Sequence, residues 1–197
     1  VWVSPEDDIE FRQVELSNLG ARSLKIELIS AFEIALADPR ADEAHPAFGN
    51  LFVQARWQPV HQALVFQRTP RLATERTTLT AHFLAETADQ VHGVRVLADR
   101  QVWLGRNHDV SLPRAAFPPV LPSSDAATAT MAERPVVTGL DPVCALSLQL
   151  SIEPGSNARL TFATAAADQA DTLHAVIDKY RQPSHVQRAS LMSATLS

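Results

Sequence analysis

Hydrophobic and polar residues alternate from Leu24 to Ala37, in the sequence LKIELISAFEIALA. A period of two sends successive side chains to opposite faces of a pleated strand, and the β-branched isoleucines favour a strand over a helix. We therefore predict one long strand with partial cover of its second face, where Ile29, Ala31 and Ala35 lie. The face that we expect to turn inward carries Leu24, Ile26, Leu28, Ser30, Phe32, Ile34 and Leu36.

Shorter alternating segments predict the remaining strands of a β-rich region that extends to Ala165. The last two are predicted to form a hairpin, because residues with turn chemistry connect them from Glu153 to Asn157. The full set of predicted strands is Ile9 to Leu16, Ser23 to Ala37, Leu51 to Trp57, Ala63 to Arg68, Thr77 to Ala85, Gly93 to Ala98, Ala145 to Ile152 and Ala158 to Thr164.

The segment from Asn107 to Pro142 contains six of the 13 prolines and predicts a long surface loop. After Ala167 the hydrophobic period becomes helical, with an apolar stripe at Leu173, Val176, Ile177 and Tyr180. Pro183 ends this helix, and a capping box at Ser184 and Gln187 predicts a second helix that runs toward Ser197. We expect a β-sandwich module over 1–167 and a helical segment over 168–197.

Composition describes an ordinary globular domain of 197 residues, 46% hydrophobic and 20% charged, with a formal charge of -5. A chain of this length can bury a sufficient core without disulfides. Its one cysteine, Cys144, lies in an apolar run and is interpreted as an inert buried thiol. The acidic balance argues against nucleic acid as a partner, and no apolar run is long enough for a membrane span. Fifteen arginines against two lysines, with abundant alanine, are typical of a GC-rich bacterial genome.

The chain lacks an initiator methionine and opens on an apolar, β-prone segment. Its second predicted helix reaches Ser197 without a stop signal. We therefore expect the chain to be a piece of a longer protein.

A search for catalytic and metal-binding motifs is mostly negative. The sequence has no G-x-S-x-G elbow, phosphate-binding glycine loop, H-E-x-x-H or paired C-x-x-C, and no metal or cofactor is predicted. The acidic triplet from Glu6 to Asp8 is interpreted as a solvated turn rather than as an acid-base pair. The histidines show no metal-ligand spacing and are interpreted as surface or loop residues, at positions 45, 61, 82, 92, 108, 174 and 185.

Four segments carry a family resemblance, and they occur in the same order along the chain as in the family. They are SPEDDIEFRQVELSN from Ser4, HPAFGNLF from His45, DRQVWLGR from Asp99 and GLDPVCALSLQLSIEPG from Gly139. Together they resemble the β-sandwich module that precedes the catalytic barrel in the glycoside phosphorylase family of cellobiose and chitobiose phosphorylases. The same module is present in the C-terminal part of cyclic β-1,2-glucan synthases, and the likeness runs from about Val1 to Tyr180.

The resemblance implies a mainly β, galactose-mutarotase-like supersandwich of antiparallel strands, some of which are expected upstream of Val1. The C-terminal helices would start a linker to an (α/α)6 barrel, and the family's catalytic acid lies in that barrel. No residue of this chain matches that acid or the family's phosphate-binding positions. The parent synthases are expected at the inner membrane, with their membrane spans upstream and their other parts in the cytoplasm.

Trp103, Arg100 and Arg106 are candidates for carbohydrate binding, because an aromatic face packs on a pyranose and guanidinium donors reach hydroxyls. The alternative is structural: Trp103 fills the core, Gly105 makes a turn and the arginines pair with carboxylates. Trp57 has the same two interpretations. The segment from His45 to Phe48 is expected to form a tight turn or a single helical turn that plugs one end of the sandwich with Phe48 inward.

These observations predict a non-catalytic module of a bacterial glycosyltransferase or glycoside phosphorylase, with glucan, the parent's barrel and a homodimer as its expected partners. It would support the barrel and shape the glucan site or a dimer contact, without touching the membrane itself. Two alternatives stay open. One is an autonomous glucan-binding module, and the other is a mutarotase-like enzyme with a histidine and a carboxylate in one cleft.

Overall fold

The computed structural model describes residues 1–70, 75–113 and 133–196. Within these ranges ten strands form two antiparallel sheets, and five helices flank them. The strands are β1 (Trp2–Val3), β2 (Ile9–Ser17), β3 (Leu24–Glu33), β4 (Val53–Gln58), β5 (Ala63–Arg68), β6 (Leu79–Glu86), β7 (Val91–Asp99), β8 (Arg134–Val136), β9 (Pro142–Ile152) and β10 (Asn157–Ala167). The helices are α1 (Pro39–Ala44), α2 (Pro46–Asn50), α3 (Arg100–Leu104), α4 (Ala170–Tyr180) and α5 (Pro183–Leu196).

The large sheet has the strand order β1-β2-β10-β6-β5-β4-β8, and the small sheet has the order β3-β9-β7. The two sheets pack face to face, so alternate residues of each strand enter a common interior. The mainly β supersandwich predicted from the sequence is therefore confirmed. Its interior is formed chiefly by Leu146, Leu148, Leu150, Leu160 and Phe162 near one end and by Ile34, Val53, Leu64, Phe66 and Cys144 near the other.

The outer face of the large sheet is covered by α4 and α5. All four residues of the predicted apolar stripe of α4 are buried against this face. They contact the outward side chains of the central strands, among them Phe11 and Phe83, and the ring of Tyr180 lies edge-on to Phe11. The helical period after Ala167 therefore identified both the helix and the side that packs on the sheet.

The start of α5 differs from the predicted capping box. The helix begins at Pro183, and its first turn is closed by the backbone of His185, which donates to Gln182 O at 3.0 Å. Ser184 therefore lies inside the first turn and is not the N-cap residue. Proline is well suited to the first helical position because its fixed φ matches the helix and its missing N–H is not needed there.

The long strand predicted from Leu24 is confirmed but is shorter than expected, since β3 ends at Glu33. Its register with β9 would place Ile34 opposite Pro142, which has no N–H to donate to the ladder. Ile34 nevertheless stays 6% exposed and packs in the interior. The partial cover predicted for the second face is present at Ile29 and Ala31, which pack against a cluster that includes residues of α3.

The predicted hairpin between β9 and β10 is wrong. β9 pairs with β3 and β7, whereas β10 pairs with β2 and β6, so the turn passes from one sheet to the other. Gly155 adopts a φ of 71°, and its N–H donates to Asn18 O at 2.9 Å. Asn18 also donates through Nδ2 to Ile152 O at 2.8 Å, so the turn is held by a residue far away in sequence. Turn chemistry marks a reversal of the chain but does not specify which strands pair.

A histidine lies in the interior between the two sheets. His82 is 2% exposed, with its ring stacked on Phe162 and edge-on to Phe32. One ring nitrogen lies 3.0 Å from Thr164 Oγ1 and the other 3.0 Å from Ser30 Oγ. Burial lowers the pKa of His82 to about 4, so the ring is neutral at pH 7. Its interpretation as a surface or loop residue is therefore wrong.

Part of the predicted loop from Asn107 to Pro142 lies outside the described residues, at 114–132. The described part contains β8, which pairs with β4 at the edge of the large sheet. The turn expected after His45 is helical and is present as α2. The ring of Phe48 does not turn inward, however, since Phe48 is 46% exposed and its ring lies edge-on to that of Phe52. The described residues contain no helix long and apolar enough to cross a membrane.

Candidate functional site

The segment DRQVWLGR, which carries three of the four candidate binding residues, forms the end of β7, the short helix α3 and the turn that follows. Asp99 caps this helix, because its carboxylate accepts from the backbone N–H of Gln101 at 2.9 Å and of Val102 at 3.3 Å. Gly105 ends it with a φ of 76°, a conformation that side chains other than glycine rarely adopt. The turn expected at Gly105 is therefore present, and α3 lies across the end of the small sheet.

Trp103 is the inward anchor of α3. It is 8% exposed and packs with Leu97, Leu104, Val143 and Ala145 on the outer face of the small sheet. Its indole Nε1 is buried without a hydrogen-bond partner in the described residues. In this conformation neither face of the ring is open to a sugar, and the placement is the one that the structural interpretation of Trp103 requires. Carbohydrate binding by this residue stays a prediction that needs a change of conformation.

Arg100 links the segment DRQVWLGR to the segment HPAFGNLF through Asp141. Its Nε donates to Glu33 Oε1 at 2.9 Å, and its Nη1 lies 3.5 Å from Asp141 Oδ2. Asp141 also accepts from Asn50 Nδ2 at 3.0 Å, which ties in the last residue of α2. The segments HPAFGNLF and DRQVWLGR therefore meet through Asp141. We call the group Glu33, Asn50, Arg100 and Asp141 the α2–α3 junction.

A glycine makes room for the cap of α3. Gly139 has a φ of 60°, and a Cβ at this position would lie 2.6 Å from Asp99 Oδ2. That approach is shorter than van der Waals contact, so a larger residue would displace the carboxylate that caps the helix. Nothing in the local sequence signals this close approach, because Gly139 is 40 positions from Asp99 in the chain.

The other two candidate binding residues lie apart from each other. Arg106 is exposed just beyond α3 and makes no hydrogen bond or ion pair within the described residues. Trp57 is half-buried on β4 and packs against the interior cluster that contains Phe66. The structure thus brings Arg100 and Trp103 together on one helix, with Arg106 next to them, and does not bring Trp57 to the same side chains. Sugar binding by the four residues stays a prediction.

Several large hydrophobic side chains are exposed in the segments that form this end of the sandwich. Val102 is on α3, Leu51 follows Asn50, and Leu140 precedes Asp141, so all three adjoin residues of α3 or the junction. Scattered exposed hydrophobic residues are normal, whereas a group of them marks an interaction surface. We call this group the apolar rim; its exposed members are Phe48, Leu51, Val102 and Leu140.

The acidic triplet at the start of the chain is not a freely solvated turn. Asp7 accepts from Lys179 Nζ at 2.6 Å and from Tyr180 Oη at 2.8 Å, and Glu6 accepts from Arg188 at 2.6 Å. Burial alone would raise the pKa of Asp7, but the bonds from Lys179 and Tyr180 outweigh it and hold the pKa below its usual value. The same contacts raise the pKa of Lys179. These carboxylates dock the N-terminal segment on the C-terminal helices.

A pair of histidines lies where the β4–β5 turn meets α4. The rings of His61 and His174 stack with centroids 4.5 Å apart, and His61 Nδ1 lies 3.0 Å from Asp178 Oδ1. This is the one described contact of a histidine with a carboxylate, the pairing that a mutarotase-like enzyme would require. Its carboxylate is 64% exposed, and the described residues contain no group of three metal-ligating side chains. That hypothesis therefore gains a residue pair, and catalysis by it stays a prediction.

Comparison with known proteins identifies the family. The model of the glycosyl hydrolase 94 supersandwich domain matches residues 1–183. The chain belongs to this family.

A curated relative, the cyclic beta-(1,2)-glucan synthase NdvB of Rhizobium meliloti (strain 1021), is 28% identical over 183 residues. The alignment covers 92% of this chain and 6% of the synthase. The supersandwich domain therefore corresponds to a small part of that relative. The similarity supports a module of a carbohydrate-active enzyme, in agreement with the resemblance read from the four sequence segments.

Proposed function

We propose that this supersandwich domain is a non-catalytic module of a larger bacterial glycosyltransferase or glycoside phosphorylase that acts in cyclic β-1,2-glucan synthesis. Its role is to support the catalytic barrel of the same parent chain and to shape the glucan site or a dimer contact. The chemical step takes place elsewhere in the parent, on the cytoplasmic side of the membrane. The family membership and the named relative support the enzyme class, and the two packed sheets provide a body suited to the supporting role.

The observation that carries the proposal is the apolar rim beside the α2–α3 junction. Leu140 is 67% and Leu51 is 53% exposed, although they adjoin Asp141 and Asn50, which are joined by a hydrogen bond of 3.0 Å. Exposing such side chains to water is unfavourable, and their burial against another surface would contribute about 25 cal/mol per Å². The junction beneath the rim is held by ion pairs and hydrogen bonds, so the rim is presented on a fixed support.

The test measures, by calorimetry, the binding of this domain to the separately produced catalytic barrel of the parent. Val102→Glu and Leu140→Glu place charges on the rim and are expected to weaken binding at least tenfold. The matched control is Leu19→Glu, because Leu19 is 93% exposed at the opposite end of the sandwich, beside Asn18. Equal effects of all three variants, or no binding of the barrel by the unaltered domain, would contradict the proposed docking role.

A second candidate function is glucan binding by the domain alone, and one observation favours it. A cleft of about 730 Å³ lies between α5 and the outer face of the large sheet. Its walls combine an aromatic ring with amide, carboxylate and guanidinium groups, the mixture that binds sugars. Those groups belong to Trp2, Gln13, Glu86, Arg159 and Gln187.

Calorimetric titration with linear and cyclic β-1,2-glucans, with cello-oligosaccharides as control, tests this second function. Arg159→Ala is expected to abolish binding if the cleft is the site, whereas Arg106→Ala would abolish it if the sequence-derived site is correct. Loss with Trp57→Ala alone would assign it to β4. A folded domain that binds none of these glucans would leave the supporting role as the function.

A further inference from the structure

A second cleft adjoins the one that lies between α5 and the large sheet. We call the first the α5 cleft and the second the β7 cleft. The β7 cleft has a volume of about 340 Å³ and opens between the end of β6 and the start of β7. Ala85, Thr87 and Arg181 line both clefts. The two clefts therefore meet at the end of β6, where the outer face of the large sheet gives way to the mouth of the interior.

The β7 cleft combines an apolar floor with a polar edge. Leu84 and Val94 are half-buried and pack against the interior cluster that contains Leu146, and all three line the cleft. Gln62 and His92 are exposed at its edge. An apolar floor with hydrogen-bonding groups around it is suited to a sugar ring, which has apolar faces and hydroxyls at its edge.

Little side-chain bulk separates the two clefts along β6. The shared residues at this strand end, Ala85 and Thr87, have small side chains. Glu86 lies between them in the sequence and lines the α5 cleft, and its carboxylate accepts from Thr161 Oγ1 at 2.6 Å. A ligand chain that fills one cleft can therefore continue past the end of β6 into the other.

Arg181 provides the polar group at this crossing. It directly follows α4, and its Nη1 donates to Val60 O in the β4–β5 turn at 3.0 Å, which holds the guanidinium beside both clefts. Within the described residues this guanidinium forms no ion pair. Because a guanidinium has five N–H donors in a planar fork, those that remain are available to the hydroxyls of neighbouring sugar units.

The combined size of the clefts favours a chain of sugars over a single ring. The α5 cleft measures about 730 Å³, so each cleft alone is as large as an ordinary small-ligand site. When one chain fills both, binding in the second cleft becomes intramolecular and adds affinity at little further entropic cost.

We propose that the α5 cleft and the β7 cleft form one extended site for an oligosaccharide chain, which crosses from one cleft to the other at Arg181. The inference rests on glucan binding, the second candidate under the proposed function, and it specifies a linear chain of several sugar units as the ligand. It does not involve the apolar rim, so the supporting role is tested separately.

Calorimetric titration of the 197-residue chain with linear β-1,2-glucans of increasing length tests the inference. The hexasaccharide is expected to bind about tenfold or more tightly than the disaccharide, with a single hexasaccharide per chain. Gln187→Ala alters only the α5 cleft, and His92→Ala alters the β7 cleft without changing the α5 cleft. Both variants should weaken the hexasaccharide by about threefold to tenfold, whereas the disaccharide, which fills one cleft, should respond to only one of them.

Arg188→Ala is the matched control, because Arg188 is exposed on α5 but contacts Glu6 and lines neither cleft. Gln187 and His92 are both exposed, so their variants should keep the melting temperature of the unaltered chain. A hexasaccharide that is weakened by only one of the two cleft variants, or that binds no more tightly than the disaccharide, would overturn the extended site and leave glucan binding at one cleft. Binding of none of these glucans would refute the glucan-binding function, and the extended site with it.

Discussion

The two sheets of this domain differ in how their outer faces and edges are covered. The large sheet is covered on its outer face by α4 and α5, and ion pairs from Glu6 and Asp7 fasten the N-terminal segment to those helices. The small sheet is covered only at one end by α3, and its β3 edge is unpaired in the described residues. The outer face of the large sheet is therefore closed by packed helices, whereas much of the outer face of the small sheet has no helix on it in the described residues.

The largest effect is expected from shortening a buried residue on the helical side. Leu173 is fully buried between α4 and the large sheet, so Leu173→Ala leaves a cavity and should cost about 2–5 kcal/mol. The comparison is Val102→Ala on α3, where the side chain is 46% exposed and the cost should stay within about 0.5 kcal/mol. Denaturant unfolding of both variants measures the contrast. A loss at Leu173 as small as that at Val102 would contradict the packing of α4 on the large sheet.

The next effect concerns the interior that the two sheets share. The pKa of His82 is about 4 in the folded protein and 6.5 in the unfolded chain, so the unfolded chain binds a proton first as pH falls. Its contribution to stability is complete above pH 6.5 and is lost between pH 6.5 and 4, by about 3 kcal/mol.

The measurement is the free energy of unfolding at several pH values for the unaltered domain and for His82→Gln. The difference between the two should shrink as the pH falls through this window, because glutamine does not titrate. Parallel pH profiles would mean that the pKa of His82 is not lowered in the folded state. His82 would then make no contribution to the loss of stability in acid.

Sequence periodicity located most strands and the packing face of α4, because burial of one face imposes a period that is visible locally. It failed where pairing is decided at a distance. The turn at Gly155 looked like a hairpin, but the partners of β9 and β10 are strands remote in the chain. The burial of His82 was also missed, since its partners Ser30 and Thr164 come from other strands.

The site shows the same division. The two segments around His45 and Asp99 were recognised by their residue types, and local sequence also suggested that Trp103 packs inward. The connection between them runs through Asp141, whose role depends on the fold bringing α2 and α3 together. The exposure of Leu140 and Val102 likewise follows from tertiary structure, because nothing in their sequence distinguishes them from core residues.

A smaller effect is expected from two glycines, one at each end of the small sheet. Both have positive φ, so Gly→Ala should cost about 1 kcal/mol at either position from backbone strain. At Gly155 no atom approaches within 4 Å of the new Cβ, whereas at Gly139 the Asp99 carboxylate lies 2.6 Å away. Gly139→Ala should therefore cost about 1 kcal/mol more, since it also disturbs the cap of α3. Equal melting temperatures for the two variants would show that Asp99 moves aside freely.

The smallest effect sharpens the comparison on the helical side. Asp7→Asn removes the ion pair with Lys179 and weakens the bond from Tyr180, at an expected cost of about 0.5–1 kcal/mol near pH 7. Because the folded pKa of Asp7 lies below 3.8, the contribution is present above that pH and is lost as pH falls through the folded pKa. The control is Asp109→Asn, an exposed carboxylate in the turn after α3. Urea unfolding at pH 7 and pH 3 should show a loss that is specific to Asp7 and smaller at the lower pH. If Asp109→Asn cost as much, the contacts of Asp7 with Lys179 and Tyr180 would not be a specific source of stability.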